Sequence, residues 1–241
     1  MVMNHRWVLG IAVLVIFCGS SLGLDFMGPP TATLNRGQIE LGFATSFSEN
    51  DIEAKALDVS VILDDVQVSK YYGIFNAGVL KEWEVSARIG SGDAEVDDFN
   101  GSNELAYGFG TKVTFWHFND TWEIGGLAQI SFFSADEEDT IGGDVYEIEV
   151  DDAYELQLAA GPTFSLNEYV RIYGGPMFYA LEGDLDAELN GANLISVDLE
   201  ETENFGGYIG AQFDICTTEI SIEYLATSDA WGVGGSIVWK F

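Results

Sequence analysis

The chain has 241 residues, with 40 Asp and Glu against 9 Lys and Arg, for a formal charge of −31. A surface this acidic repels phosphate, so nucleic acid is excluded as a partner. The length suits one all-β domain, and two cysteines, Cys18 and Cys216, exclude a disulfide-rich scaffold.

His5 and Arg6 precede an apolar run over 7–17, followed by Gly19, Ser20, Ser21, Leu22 and Gly23. That is the order of a secretory signal peptide, with cleavage expected after Gly23. The run has about 11 residues, too few for an anchoring helix, which needs ~20. Lipoprotein processing at Cys18 would put bulky Phe17 where a small residue is expected. Losing residues 1–23 removes Arg6 as the one formal charge, so the remainder carries −32. It also leaves Cys216 as the sole cysteine, so no internal disulfide forms. Residues 24–36 are expected to be a periplasmic N-terminal segment, and 37–241 a single folded unit.

From Gln38 onward apolar residues recur with period two, which sends neighbouring side chains to opposite faces of a strand. Ten such segments follow one another. Ile39, Leu41, Phe43 and Phe47 oppose Glu40 and Ser46, and Tyr71, Phe75, Ala77 and Val79 oppose Lys70, Tyr72 and Asn76. Trp83, Val85, Ala87 and Ile89 oppose Glu84 and Arg88, and Leu105, Tyr107, Phe109, Val113 and Phe115 oppose Lys112 and Thr114. Trp122, Ile124, Ala128, Ile130 and Phe132 oppose Glu123, Gln129 and Ser131, while Tyr154, Leu156, Leu158 and Phe164 oppose Glu155 and Gln157. Val170, Ile172 and Phe178 oppose Arg171, Tyr173 and Tyr179, and Phe205, Ile209, Phe213 and Ile215 oppose Tyr208, Gln212 and Asp214. Ile220, Ile222 and Tyr224 oppose Glu219 and Glu223. Last, Trp231, Val233, Ile237, Trp239 and Phe241 oppose Gly232, Gly234, Val238 and Lys240.

Connections alternate between short (80–82, 117–121, 165–168, 216–218) and long (48–69, 90–104, 134–153, 183–204), with only 228–230 breaking the pattern. Short turns at one end and long loops at the other predict an antiparallel up-and-down transmembrane β-barrel of about ten strands with both termini in the periplasm. Eight or twelve strands remain open, because Leu57, Val59, Val61 and Leu63 either extend the first strand or add another. Asp64-Asp65, Gly142-Gly143 and Asn190-Gly191 mark turns in hairpins beyond the membrane. Trp83, Trp116, Phe118, Trp122, Phe164, Tyr169, Trp239 and Phe241 flank the tight turns, where an aromatic girdle belongs. A soluble β-sandwich explains the alternation but not why the outward parity is almost free of charge.

The export signal, the alternating segments and the ending Trp239-Lys240-Phe241 resemble the small bacterial outer-membrane β-barrels, the OmpA-like and porin-like group. The resemblance implies that Trp231, Val233, Ile237, Trp239 and Phe241 form the signal read by the barrel-assembly machinery. It also implies outer-membrane lipid and lipopolysaccharide as surroundings.

Eight bases remain after residue 23, and five of them, Lys70, Arg88, Lys112, Arg171 and Lys240, lie on the inward parity. A charge facing lipid at mid-membrane would cost ~2–4 kcal/mol, so inward placement is expected. With Glu40, Glu84, Glu123 and Glu223 they form a lumen charge ladder, Arg88 and Lys112 at similar heights. Such a ladder either seals the bore or leaves a narrow charged constriction. Inward glycines argue for room within it.

Asp93, Glu95, Asp97 and Asp98 before Asn100-Gly101 are weak calcium candidates, because the full calcium-loop pattern is absent. The acidic loops suit either divalent cations bridging to lipopolysaccharide or a merely solvated rim. No cofactor is expected. His117, the sole histidine after residue 23, lies in a short turn at the end opposite the long loops, so no enzyme is expected. Two functions follow: a structural or narrow-pore barrel passing ions or small solutes, or a sealed barrel whose acidic hairpins bind cations, lipopolysaccharide or another surface.

Overall fold

Period-two alternation becomes a closed cylinder in the computed structural model. It describes residues 24–241 except 57–58, 97–98, 101–103, 120, 142–143, 190–191 and 202–203, and over 51–66, 93–104, 134–152 and 184–203 only the backbone is described. Residues 1–23, expected from sequence to be a signal peptide, lie outside the described residues.

The strands are β1 (Ile39–Ala56), β2 (Val59–Leu80), β3 (Trp83–Val96), β4 (Phe99–Asn100), β5 (Glu104–His117), β6 (Trp122–Ile141), β7 (Asp144–Ser165), β8 (Val170–Leu189), β9 (Ala192–Glu201), β10 (Phe205–Ile215), β11 (Thr218–Ala226) and β12 (Ala230–Lys240). Ten form the wall, each antiparallel to its neighbours, and β12 returns to pair with β1 from Glu40↔Lys240 to Asn50↔Ala230. The ladder reaches the last residue, since the Phe241 N–H donates to the Ile39 carbonyl at 2.9 Å. Closure leaves the wall no edge strand, which lets a sheet cross hydrocarbon with its backbone groups paired.

The outward parity is apolar in the structure as expected. Phe43, Ile89, Phe109, Ile209 and Ile222 all stand more than half exposed on the outer wall, where lipid would cover them. The aromatic girdle is present: Trp83, Trp116, Phe118, Trp122, Tyr169, Trp239 and Phe241 are exposed around the short-turn end, and Phe164 packs on Trp122 at 4.6 Å between ring centroids. Those turns are set locally. Asn119 Oδ1 accepts the N–H groups of Thr121 and Trp122 at 2.8 and 2.9 Å, and Asn167 Oδ1 takes that of Tyr169 at 2.8 Å.

At the other end the strands continue past the wall. β6 and β7 stay paired to Ile141↔Asp144, and β8 and β9 to Leu189↔Ala192, so the strands flanking both expected turns are paired, while the turn residues 142–143 and 190–191 lie outside the described residues. The first outer hairpin differs. Asp64-Asp65 lie within β2, opposite a register shift between Asn50 and Ile52, and the strands meet at Ala56↔Val59. A bulge absorbs the extra residue there instead of a turn. Residues 59–63 therefore lengthen an existing hairpin and add no wall strand, while Leu57 lies outside the described residues. β9 also pairs with β1 at Ile52↔Glu201, which joins the outer extensions above the short β11–β12 turn.

Residues 24–36 were expected outside the barrel, in the periplasm; residues 24–34 thread its interior instead, and Asn35 and Arg36 are exposed. Gly37 N–H donates to the Gly78 carbonyl at 2.8 Å at the short-turn end, and the preceding residues climb inside from there. Leu24, Asp25, Met27, Thr31 and Leu34 are buried. The path uses inward glycines as clearance: a Cβ at Gly234 would meet Phe26 Cβ at 2.8 Å, and one at Gly125 would strike the Pro30 carbonyl. The room signalled by these glycines is filled by the chain's own N-terminal segment.

Candidate functional site

The inward parity lines a bore, and the N-terminal segment supplies what fills it. Asp25 is 0% exposed and belongs to no strand, yet its carboxylate gathers donors from four. Oδ1 accepts from Ser46 of β1 at 2.9 Å and lies 3.7 Å from Lys70 Nζ of β2. Oδ2 accepts from Ser131 of β6 at 2.7 Å and from Tyr72 of β2 and Arg88 of β3 at 3.3 Å each. Charge-assisted bonds of this kind are stronger than neutral ones and fix direction. Lys70 also pairs with Glu155 of β7, giving a buried Asp25–Lys70–Glu155 triad, and its ammonium sits 4.5 Å from the Phe133 ring centroid.

Backbone groups of the segment are held as firmly. Gln157 Nε2 donates to the Asp25 carbonyl at 3.1 Å, and Gln129 Nε2 to that of Phe26 at 3.3 Å. Arg88 and Gln129, and Gln129 and Gln157, are hydrogen bonded to each other, so these donors form one row across β3, β6 and β7. Glu223 of β11 accepts the N–H groups of Met27 and Gly28 at 2.9 and 3.0 Å. Lower down, Glu84 accepts those of Thr33 and Leu34, Thr114 Oγ1 accepts that of Ala32 at 2.9 Å, and Thr31 and Thr163 share a 2.8 Å hydroxyl contact. A buried segment lacking secondary structure must have its peptide groups satisfied by side chains, and here the wall does it.

The predicted ladder therefore separates into distinct groups. Lys70 and Arg88 hold Asp25, whereas Glu84 and Glu223 hold peptide N–H groups of the segment. Glu123 turns to the short-turn surface, where His117 lies between it and Glu82 at 3.0 and 3.2 Å. Arg171, Asp214, Glu219, Lys240 and Glu40 form a second cluster near the short turns. Arg171 reaches Asp214 at 3.0 Å, and Lys240 reaches Glu219 at 2.8 Å, Asp214 at 3.5 Å and Glu40 at 3.6 Å. Arg88 and Lys112, expected at one height, are offset: the β3–β5 register sets Lys112 opposite Glu84 and Arg88 opposite Gly108.

Between the segment and the wall remains a cavity of about 50 Å³, bordered by Glu40, Glu84, Arg88, Lys112, Glu219 and Met27. A water needs ~10–15 Å³ of such space, so a few waters fit and no larger solute does.

Asp25, Glu155 and the Gln129–Gln157 pair, with Ser46, Tyr72, Ser131 and Glu219, are site residues missing from the ladder expected from sequence. Glu155 and both glutamines stand on the inward parity and were legible as lumen residues; Asp25 sits in a segment with no periodicity. Of the weak calcium candidates, Asp97 and Asp98 lie outside the described residues, and Asp93 and Glu95 are described in backbone only, within β3. Among the described residues no group of three or more His, Cys, Asp and Glu has metal-binding geometry.

No family model matches the chain, and no curated protein sequence matches it. Solved structures do. The chain is similar to the translocator domain of the autotransporter NalP from Neisseria meningitidis, with TM-score 0.50 and 11% identity, covering 98% of this chain and 95% of that one. It is also similar to the outer membrane protease OmpT from Escherichia coli (TM-score 0.47, 9% identity, 87% and 97% covered). A third is the outer membrane protein OprG from Pseudomonas aeruginosa (TM-score 0.46, 10% identity, 86% and 97% covered). At such identities the likeness concerns the fold and carries no activity with it. With its closed ten-strand antiparallel wall and apolar outward belt, the chain has the fold of the outer-membrane β-barrel proteins.

Proposed function

We propose that this protein is an exported outer-membrane barrel, delivered by a cleaved signal peptide, with a structural or narrow-pore role. The supporting observation is the bore itself: residues 24–34 fill it, charged and polar side chains hold them, an apolar cluster that includes Val68, Phe133, Met177 and Leu225 packs beside them, and a cavity of about 50 Å³ remains next to Arg88 and Lys112. Passage is then limited to water and small ions. In planar bilayers the expected result is a low single-channel conductance that rises in Arg88→Ala, which removes a side chain bonded to Asp25, Phe26 and Gln129. No current from either protein would sink the pore.

The second reading is a sealed barrel whose acidic hairpins bind cations, lipopolysaccharide or another surface. Its support is that β6–β7 and β8–β9 stay paired beyond the wall, carrying acidic residues 136–139 outward on ordered backbone. Shortening either hairpin should then weaken adhesion to lipopolysaccharide vesicles, and unchanged adhesion in both would remove this reading. No catalytic role is proposed, since His117 lies at the short-turn end, engaged with Glu82 and Glu123. No cofactor is proposed beyond weak divalent cations at the loops.

The barrel-assembly machinery is proposed to read Trp231, Val233, Ile237, Trp239 and Phe241. The Phe241 side chain is 69% exposed, whereas its backbone carries the last bonds of the β1–β12 seam. Phe241→Ala should thus refold in detergent with stability within ~1 kcal/mol of the parent, yet accumulate poorly in membranes. Normal accumulation in cells would show that the aromatic is no signal.

A further inference from the structure

Asp25 is a ligand built into the chain. Its carboxylate is covalently part of the N-terminal segment, but its surroundings belong wholly to the wall: Ser46, Lys70, Tyr72, Arg88 and Ser131. The donors divide between the two oxygens, Ser46 and Lys70 on Oδ1 and Ser131, Tyr72 and Arg88 on Oδ2. A planar two-oxygen anion satisfies both sets at once; a spherical anion reaches only one. Without Asp25, the described polar contacts here leave Lys70 with Glu155, and Arg88 with the neutral Gln129. The vacated cradle is then a desolvated site whose ammonium, guanidinium and hydroxyl donors are placed for a second carboxylate.

We infer that this cradle is a carboxylate-binding site of the bore, occupied at rest by the chain's own Asp25, and that small solute carboxylates compete for it and loosen the N-terminal segment. This rests on the pore reading for its role in transport, but the site itself does not depend on conduction. The segment has no strand pairing along 24–36, so its grip is the sum of side-chain bonds, of which the Asp25 set carries the charge. A competing ligand acts by mass action on such an equilibrium. The ligand class is then a small organic carboxylate, taken up as the segment loosens and not into the 50 Å³ left beside it.

The test uses the full-length barrel with Leu24→Cys as reporter and Cys216→Ser to remove the exposed thiol. Leu24 is 0% exposed beside Gly232, so a hydrophilic maleimide reacts only when the segment loosens. Adding Asp25→Asn should speed labelling about tenfold or more, since it removes a charge-assisted set. Ser131→Ala, a milder change that retains the charge pair, should give an intermediate rate. With Asp25 intact, sodium acetate should accelerate labelling in a saturable manner, and sodium chloride at equal ionic strength should not. Labelling indifferent to acetate, or equal in acetate and chloride, overturns the inference. Bilayer recording of the parent keeps the two ideas apart. Acetate-sensitive labelling with no current supports the cradle and overturns the pore; a conducting parent with labelling unmoved by acetate does the reverse.

Discussion

Lys70→Met is expected to lower the unfolding free energy by roughly 3–5 kcal/mol, because it takes the ion-pair partner from buried Glu155 and leaves Asp25 with Arg88. Lys70 and Glu155 are each 1% exposed and Asp25 is 0% exposed, so water does not screen them. The paired charges need contribute little net stability for this to hold, since the loss comes from leaving charge without its counterion. Lys70→Met combined with Glu155→Leu should therefore recover most of the loss, with Arg88, Ser46 and Ser131 still holding Asp25. The measurement is the urea midpoint in lipid vesicles, with the temperature at which the folded gel band converts as a second reading. A single variant as stable as the parent would mean that water enters the triad freely.

Phe43→Arg is expected to cost roughly 2–4 kcal/mol, the range for a cation on the lipid face near the bilayer middle. Phe43 is 64% exposed on the outward parity of β1, opposite Gly73 and Ile237, and it meets Trp239 edge-on with centroids 6.4 Å apart. Leu80→Arg is the control. Leu80 is outward and exposed too, but it ends β2 at the short turn, where the cost near the interface falls to ~0–1 kcal/mol. The contrast between the two sites reads depth, since both add the same side chain to an exposed position. Equal losses would show that the apolar belt does not face hydrocarbon.

Much of the wall was legible because alternation is a local property. Glu40, Lys70, Glu84, Arg88 and Glu223 point inward because their neighbours Leu41, Tyr71, Val85, Ile89 and Tyr224 point outward, and a strand leaves no third choice. Asn190-Gly191 and Gly142-Gly143 likewise sat where the flanking strands meet. Asp64-Asp65 misled for a stated reason: two turn-forming residues inside a β-forming stretch were absorbed as a bulge, since the longer hairpin pairs more backbone. The offset of Lys112 from Arg88 was hidden as well. Heights counted from turns ignore the stagger between strands that closure imposes.

The sequence by itself determined that ten staves alternate, that their uncharged faces point one way, and that a final strand from Trp231 to Phe241 closes the barrel; the structure pairs Ala230–Lys240 with the first strand and completes the seam at Phe241. The three sequence-level features follow from steric rules acting over two residues or from the spacing of turns. Only the tertiary structure decided what occupies the bore. The bonds of Asp25 span 21 residues to Ser46, 106 to Ser131 and 132 to Gln157, and no local pattern encodes a meeting across a cylinder. Residues 24–34 could be placed inside only once the wall had a radius, a register and a row of inward donors in need of a partner.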